Sequence, residues 1–202
     1  MNFSDVIAEC KSSLKELDAM VTAIEHEVIT GNHGIELITN NVNFFTKSFL
    51  ITLCAHLEMG IKDIVFAVAK NIDSRLSIAA IPTSIVEWRY GPKNKKQEKC
   101  NPISRFGIGL TKKEVDELVS GNVYRTRDAL SLVGVDLTYK IADWEAWKEL
   151  IQTIVTRRNN IVHHNDDASD LSFGDIRLYI KKINEYFDFI NEACNCALSP
   201  LV

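Results

Sequence analysis

The run Arg158-Asn159-Asn160-Ile161-Val162-His163 places a guanidinium and an imidazole on one short stretch, with four residues between them. A guanidinium keeps its charge at any ordinary pH, and its planar fork matches a phosphate or a carboxylate. An imidazole, with an unperturbed pKa near ~6.5, takes or gives a proton around neutrality. Counting about 100° per residue from Trp144 puts the apolar side chains of this segment between about 240° and 20°, with Arg158 at about 320°, inside that stripe. A cation there is costly unless it meets a carboxylate, an anionic ligand or a solvated groove at a subunit boundary. An internal salt bridge satisfies that need as well as a ligand does. Asn159 at about 60° and His163 at about 100° fall on the stripe's edge one turn apart, so the amide could orient the imidazole. Arg157 and His164, at about 220° and 200°, turn toward the polar side and are second choices for the same roles.

Other reactive side chains are less pointed. Glu58 has Lys62 one turn on, so a plain i, i+4 ion pair accounts for it as well as a functional role does. His56 and Asp63 share a helix face but lie two turns apart and form no dyad by themselves. Between Arg89 and Lys113 stand eight basic residues (Arg89, Lys93, Lys95, Lys96, Lys99, Arg105, Lys112, Lys113) against one acid, Glu98. With Tyr90 and Phe106 interleaved, this stretch could follow a nucleic-acid backbone, or could simply be a solvated loop. Lys93, Lys95, Lys96, Lys99 and Arg105 are the residues to test for RNA contact.

The elements that must position these groups are helices. Phe3, Val6, Ile7, Cys10, Leu14, Leu17, Val21, Ile24 and Val28 recur at three- and four-residue steps, which predicts a helix over 3–30 stopped by Gly31-Asn32. The segment 41–71 is apolar nearly all round and reads as a long central helix covered on most sides. From 72 to 140, Pro82, Gly91-Pro92, Pro102, Gly107 and Gly109 break the pattern. Short helices joined by long loops are expected there, one of them opened by a capping box at Thr111 and Glu114 and running to Val119. Asp143 reads as the N-cap of a helix running to about His163, and Ser172 as the cap of a last helix carrying Phe173, Ile176, Ile180, Ile183, Phe187, Ile190 and Cys194. Period-2 alternation is missing, so the expected fold is all-α: one domain over 1–202, a bundle of four to five main helices with an irregular insertion at 72–140 that carries the basic loop 89–113.

Composition narrows the function classes. With 202 residues, 46% hydrophobic, the chain can bury a real core, and a net charge of −4 excludes a polycation that seeks nucleic acid over its whole surface. No apolar run is long enough to span a bilayer and the first residues do not resemble a signal peptide, so a cytoplasmic location is expected. The five cysteines (Cys10, Cys54, Cys100, Cys194, Cys196) are odd in number and scattered, which suits free thiols, and Cys194 and Cys196 read as helix-packing residues rather than half of a zinc site. Neither a metal nor a cofactor is implied.

The run Arg158 to His163, at the end of a late helix with one more helix after it, resembles the arginine, four to six residues, histidine motif of the HEPN family, its RiboL-PSP-like subgroup included. Leu57-Glu58 in the central helix resembles a leucine-glutamate pair of some HEPN subgroups, which would give Glu58 a supporting role. Only Arg158 with His163 has the family's polar residue directly after the arginine and two apolar residues before the histidine. The resemblance implies an endoribonuclease that needs no metal and works as a homodimer, with Arg158 on the scissile phosphate, His163 moving the proton and Asn159 supporting either. It also implies a toxin or antiviral defence role, with RNA as substrate and an antitoxin or regulatory protein as partner. A non-catalytic HEPN-like nucleotide-binding or protein-interaction module, or a purely structural helical dimer, would use the same residues to grip rather than cut.

Overall fold

The structure, a computed structural model, describes residues 2–30, 36–91, 103–164 and 170–199. Over these residues the chain is helical: α1 (Phe3–Thr30), α2 (Glu36–Thr39), α3 (Val42–Ala79), α4 (Thr83–Tyr90), α5 (Lys112–Leu118), α6 (Val123–Leu132), a 3-10 turn (Leu137–Lys140), α7 (Ile141–His164) and α8 (Phe173–Leu198). The long elements α1, α3, α7 and α8 are the main helices expected, and the fold is an all-α bundle. The only extended pairing among the described residues is an isolated antiparallel bridge between Pro82 and Arg105.

α3 is the spine. Leu50, Leu53, Cys54, Leu57, Ile61, Ile64, Val65 and Val68 are buried, covered by α1 and α8 on one flank and by α5, α6 and α7 on the other. The apolar surround read from the sequence is therefore covered, except along one stripe: Ala55 and Met59 are exposed, and Lys62 and Asp63 continue the stripe half-exposed. α1 and α8 press on α3 at Gly60, where an added Cβ would stand 2.7 Å from Cζ of Phe187 and 2.9 Å from Sγ of Cys10. Glycine is required there for room, since its backbone is ordinary helix.

Three boundaries differ from the sequence reading. α3 runs past Asn71 to Ala79, because no breaker intervenes before Pro82; Ala80 then turns left-handed (φ 50°) and its N–H donates to the carbonyls of Leu76 and Ser77. α6 is a full core element in the stretch read as irregular, burying Val123, Thr126, Ala129 and Leu130, with Asn122 as its side-chain cap. Asp143 is not an N-cap: the 3-10 turn leads straight into α7 at Ile141, and Asp143 lies inside the first turn, where a carboxylate still favours the helix dipole. The caps at Thr111 and Ser172 are capping boxes, with Glu114 and Asp175 as the reciprocal partners.

The thiols are mostly interior. Cys54 and Cys194 are buried and Cys10 half-buried, whereas Cys196 is exposed, contrary to its reading as a packing residue. Cys100 and the Gly31-Asn32 stop lie outside the described residues. Burial pushes the thiols of Cys54 and Cys194 up to about 12 and that of Cys10 to about 11. Burial also raises the phenol of Tyr186.

Two outcomes follow. Gly60→Ala, although it adds helix propensity, should lower stability by about 1–2 kcal/mol because the methyl meets a packed ring, and Gly60→Leu by more, read as lower urea midpoints at unchanged slope. Each buried thiol keeps its proton in the folded chain at a pH where the unfolded one loses it. Stability should thus hold up to about pH 9 and fall as the pH rises from there toward 12, as thermal unfolding across that range would record.

Candidate functional site

α7 presents two adjacent arginines to two different surroundings. Arg157 turns toward Asp170, just ahead of α8, and pairs with it; Gln152, Thr153, Thr156 and Asn160 line the surface beside it. Arg158 follows the buried stripe through Ile151, Ile154 and Ile161, and is half-buried between them. It lies within ion-pairing distance of no carboxylate among the described residues. Its Nη1 donates to Asn159 Oδ1 at 2.9 Å, while its Nε is enclosed with no hydrogen-bond partner.

The guanidinium opens into a groove of about 590 Å³ along the uncovered stripe of α3, lined by Ala55, Glu58, Met59, Lys62, Asp63, Lys112, Asp116 and Arg158. Glu58 lines the groove together with Arg158, and it accepts from Lys62 Nζ at 2.7 Å, the i, i+4 ion pair read from the sequence. Charges from both groups reach Cys54: burial dominates its raised pKa, Arg158 opposes the shift and Glu58 adds to it. α5 forms the far wall. Its capping box fixes the first turn, Val115 is fully buried against the core, and Lys112 and Asp116, one turn apart, face the groove. Lys112 bridges to Asp63 across the groove.

The remaining sequence candidates are placed elsewhere. His163 and His164 are exposed at the C-terminal end of α7 and do not line the groove. Asn159 spends its carbonyl oxygen on Arg158 and makes no hydrogen bond to His163. Arg105 sits beside the last turns of α3, near Lys70, Asp73 and Ser77, which is roughly 20 Å along the helix from Glu58. Lys93, Lys95, Lys96 and Lys99 lie outside the described residues. Among the described residues no group of three or more His, Cys, Asp or Glu side chains is arranged to hold a metal ion, and no helix is long and apolar enough to cross a membrane.

Sequence reasoning missed Asp116 altogether, saw Lys112 only as part of a basic run, and weighed Asp63 only against His56. The available signal was local: Lys112 and Asp116 are an i, i+4 pair flanking the one buried residue of a capped helix.

A family model described as RiboL-PSP-HEPN matches residues 9–195. No curated protein and no solved structure matches the chain. The match spans nearly the whole sequence, α1 to α8, and the chain belongs to that family.

The two arginines should respond differently to removal. Arg157→Met loses the pair with Asp170, whose carboxylate is 65% exposed, so the cost should stay within about 1 kcal/mol. Arg158→Met replaces a half-buried cation that has no carboxylate among the described residues in ion-pairing range with an apolar chain of similar length on an apolar stripe, and should leave the melting temperature unchanged or raise it. A large drop for Arg158→Met would mean that the arginine is a structural ion-pair member.

Proposed function

We propose that this member of the RiboL-PSP-HEPN family is a metal-independent endoribonuclease whose active unit is a homodimer, with Arg158 and His163 as its catalytic residues. The observation that carries the reading is the state of the two arginines: Arg157 is paired with Asp170, whereas Arg158 faces the groove with no carboxylate among the described residues in ion-pairing range. A fixed, unneutralised guanidinium at a groove is suited to a phosphodiester, whose transition state gains charge on the phosphoryl oxygens.

In the proposed reaction the ribose 2′-oxygen attacks the adjacent phosphorus. The O2′–P bond forms as the P–O5′ bond breaks, leaving a 2′,3′-cyclic phosphate and a 5′-hydroxyl. One His163 takes the 2′-hydroxyl proton and the copy on the second protomer gives a proton to the departing 5′-oxygen. One chain supplies a single imidazole from this motif, so general acid and general base require two. Arg158 holds the non-bridging oxygens, with Asn159 keeping its fork in plane and Glu58 biasing its position. The biological role proposed with it is that of a toxin or antiviral defence effector, held in check by an antitoxin or regulatory protein. The basic stretch with Lys93, Lys95, Lys96, Lys99 and Arg105 is proposed as an auxiliary RNA contact.

One observation favours the alternative of a module that grips a phosphate without cutting: His163 is exposed and makes no hydrogen bond among the described residues. Incubation of RNA with the purified chain separates the two. Cleavage should persist in EDTA and yield cyclic-phosphate ends. His163→Ala should lower the rate by about 10²–10⁴-fold, and Arg158→Ala by about 10²–10³-fold. Wild-type rates for His163→Ala, or loss of cleavage in EDTA, would sink the mechanism.

A further inference from the structure

The groove holds more than the catalytic proposal uses. Beyond Arg158 it is lined by Lys62 and Lys112 and by three carboxylates, Glu58, Asp63 and Asp116, so it is balanced in formal charge. A second phosphate gains little in such a place, because each ammonium already has a carboxylate at hand. A neutral molecule with donors and acceptors on one edge suits it better, and the volume lies within the range of small-ligand sites.

The pairings within the groove leave one group uncommitted. Glu58 is engaged by Lys62 at 2.7 Å, and Asp63 is engaged by Lys112. Asp116 Oδ1 is 3.7 Å from Lys112 Nζ, too far for a hydrogen bond, and the Asp116 carboxylate accepts none among the described residues. An open carboxylate therefore stands beside an ammonium on one face of α5, and both are anchored through the buried Val115. The floor across from them is the exposed Met59 thioether and the methyl of Ala55, a surface on which a flat ring can lie.

Guanine fits this pair better than the other bases. Its Watson–Crick edge sets the O6 acceptor beside the N1–H and N2–H donors, so an ammonium and a carboxylate side by side match that edge in order. Adenine offers no adjacent pair of donors on that edge, uracil offers a single donor, and cytosine carries its one amino group beside two acceptors. RNA-binding proteins read single-stranded bases by such edge contacts.

We infer that the groove between α3, α5 and α7 is a guanine site for the nucleotide flanking the scissile phosphate. In it Asp116 accepts from N1–H and N2–H, Lys112 donates to O6, and Met59 packs on the ring. The inference rests on the proposed reading only for the word flanking; the base contacts themselves do not depend on cleavage. Asp116 and Lys112 are thus specificity residues, distinct from the groups that move protons.

The test compares guanosine with inosine, which differs only in lacking the 2-amino group. Binding of guanosine 3′-monophosphate and inosine 3′-monophosphate to the full chain is measured by calorimetry, and cleavage is measured on oligoribonucleotides carrying a single guanosine or inosine. The wild-type chain should favour guanosine at least about tenfold in both assays. Asp116→Asn should bring the ratio close to one, and Lys112→Gln should weaken both ligands together. Equal binding of the two nucleotides by the wild-type chain, or a preference that survives Asp116→Asn, overturns the site. Selective binding without RNA cleavage keeps the guanine site and rejects the nuclease; cleavage with no base preference and equal binding does the reverse.

Discussion

A helix that is apolar on most of its circumference is stable only when neighbours cover it, and α3 imposes that demand on the whole chain. Each fully buried Leu or Ile along it is worth on the order of 1.5–3 kcal/mol, so the order of helices around α3 is set by where those residues fall. α1 and α8 close over one flank and meet α3 tightly enough that position 60 has no room for a side chain. α5, α6 and α7 close over the other flank. Beside α7 the stripe through Ala55, Met59, Lys62 and Asp63 escapes, and the charged groups of Lys62 and Asp63 tolerate solvent and resist burial. The groove at Arg158 is the consequence of incomplete cover over a core helix.

That origin explains why the site draws on residues far apart in sequence. α3 provides a rigid floor, and α7 lies against it because Ile151, Ile154 and Val155 are buried there. The same stripe carries Arg158 inward at the point where cover gives out. α5 needs little to act as a wall: two reciprocal cap contacts and one fully buried valine hold a seven-residue helix. A short, capped element with one anchor can aim two side chains, which a free loop of that length would not hold in register.

The four long helices were legible because their periods were strong over many turns, the capping box at Thr111 because its partner Glu114 lies three residues on, and Ser172 as a cap though not its reciprocal partner Asp175. Asp143 misled because Asp favours both the cap and the first turn, and the choice between them depends on the 3-10 turn that runs into α7. α6 was hidden because Val123, Thr126, Ala129 and Leu130 make a narrow stripe amid polar residues, recognisable as core only once α3 and α7 lie over it. At the site, helix geometry alone separated Arg158 from Arg157, since one residue is a turn of about 100°. The groove's far wall was not legible, because nothing between Asp63 and Lys112 signals that they meet.

Arg158 is where local and global preferences disagree. The stripe it occupies asks for an apolar side chain, and its neighbours Ile154 and Ile161 comply. One position earlier, the same helix pairs an arginine with a carboxylate by turning it toward Asp170, and among the described residues Arg158 has no such pair. Glu58 shares the groove yet is committed to Lys62, which keeps it from quenching the cation while leaving its field in place. The result is a charge that is held, partly desolvated and short of partners, the condition under which an anion from outside gains most by binding. Such a departure from consistency is expected where a fold carries a site rather than where it carries its own stability.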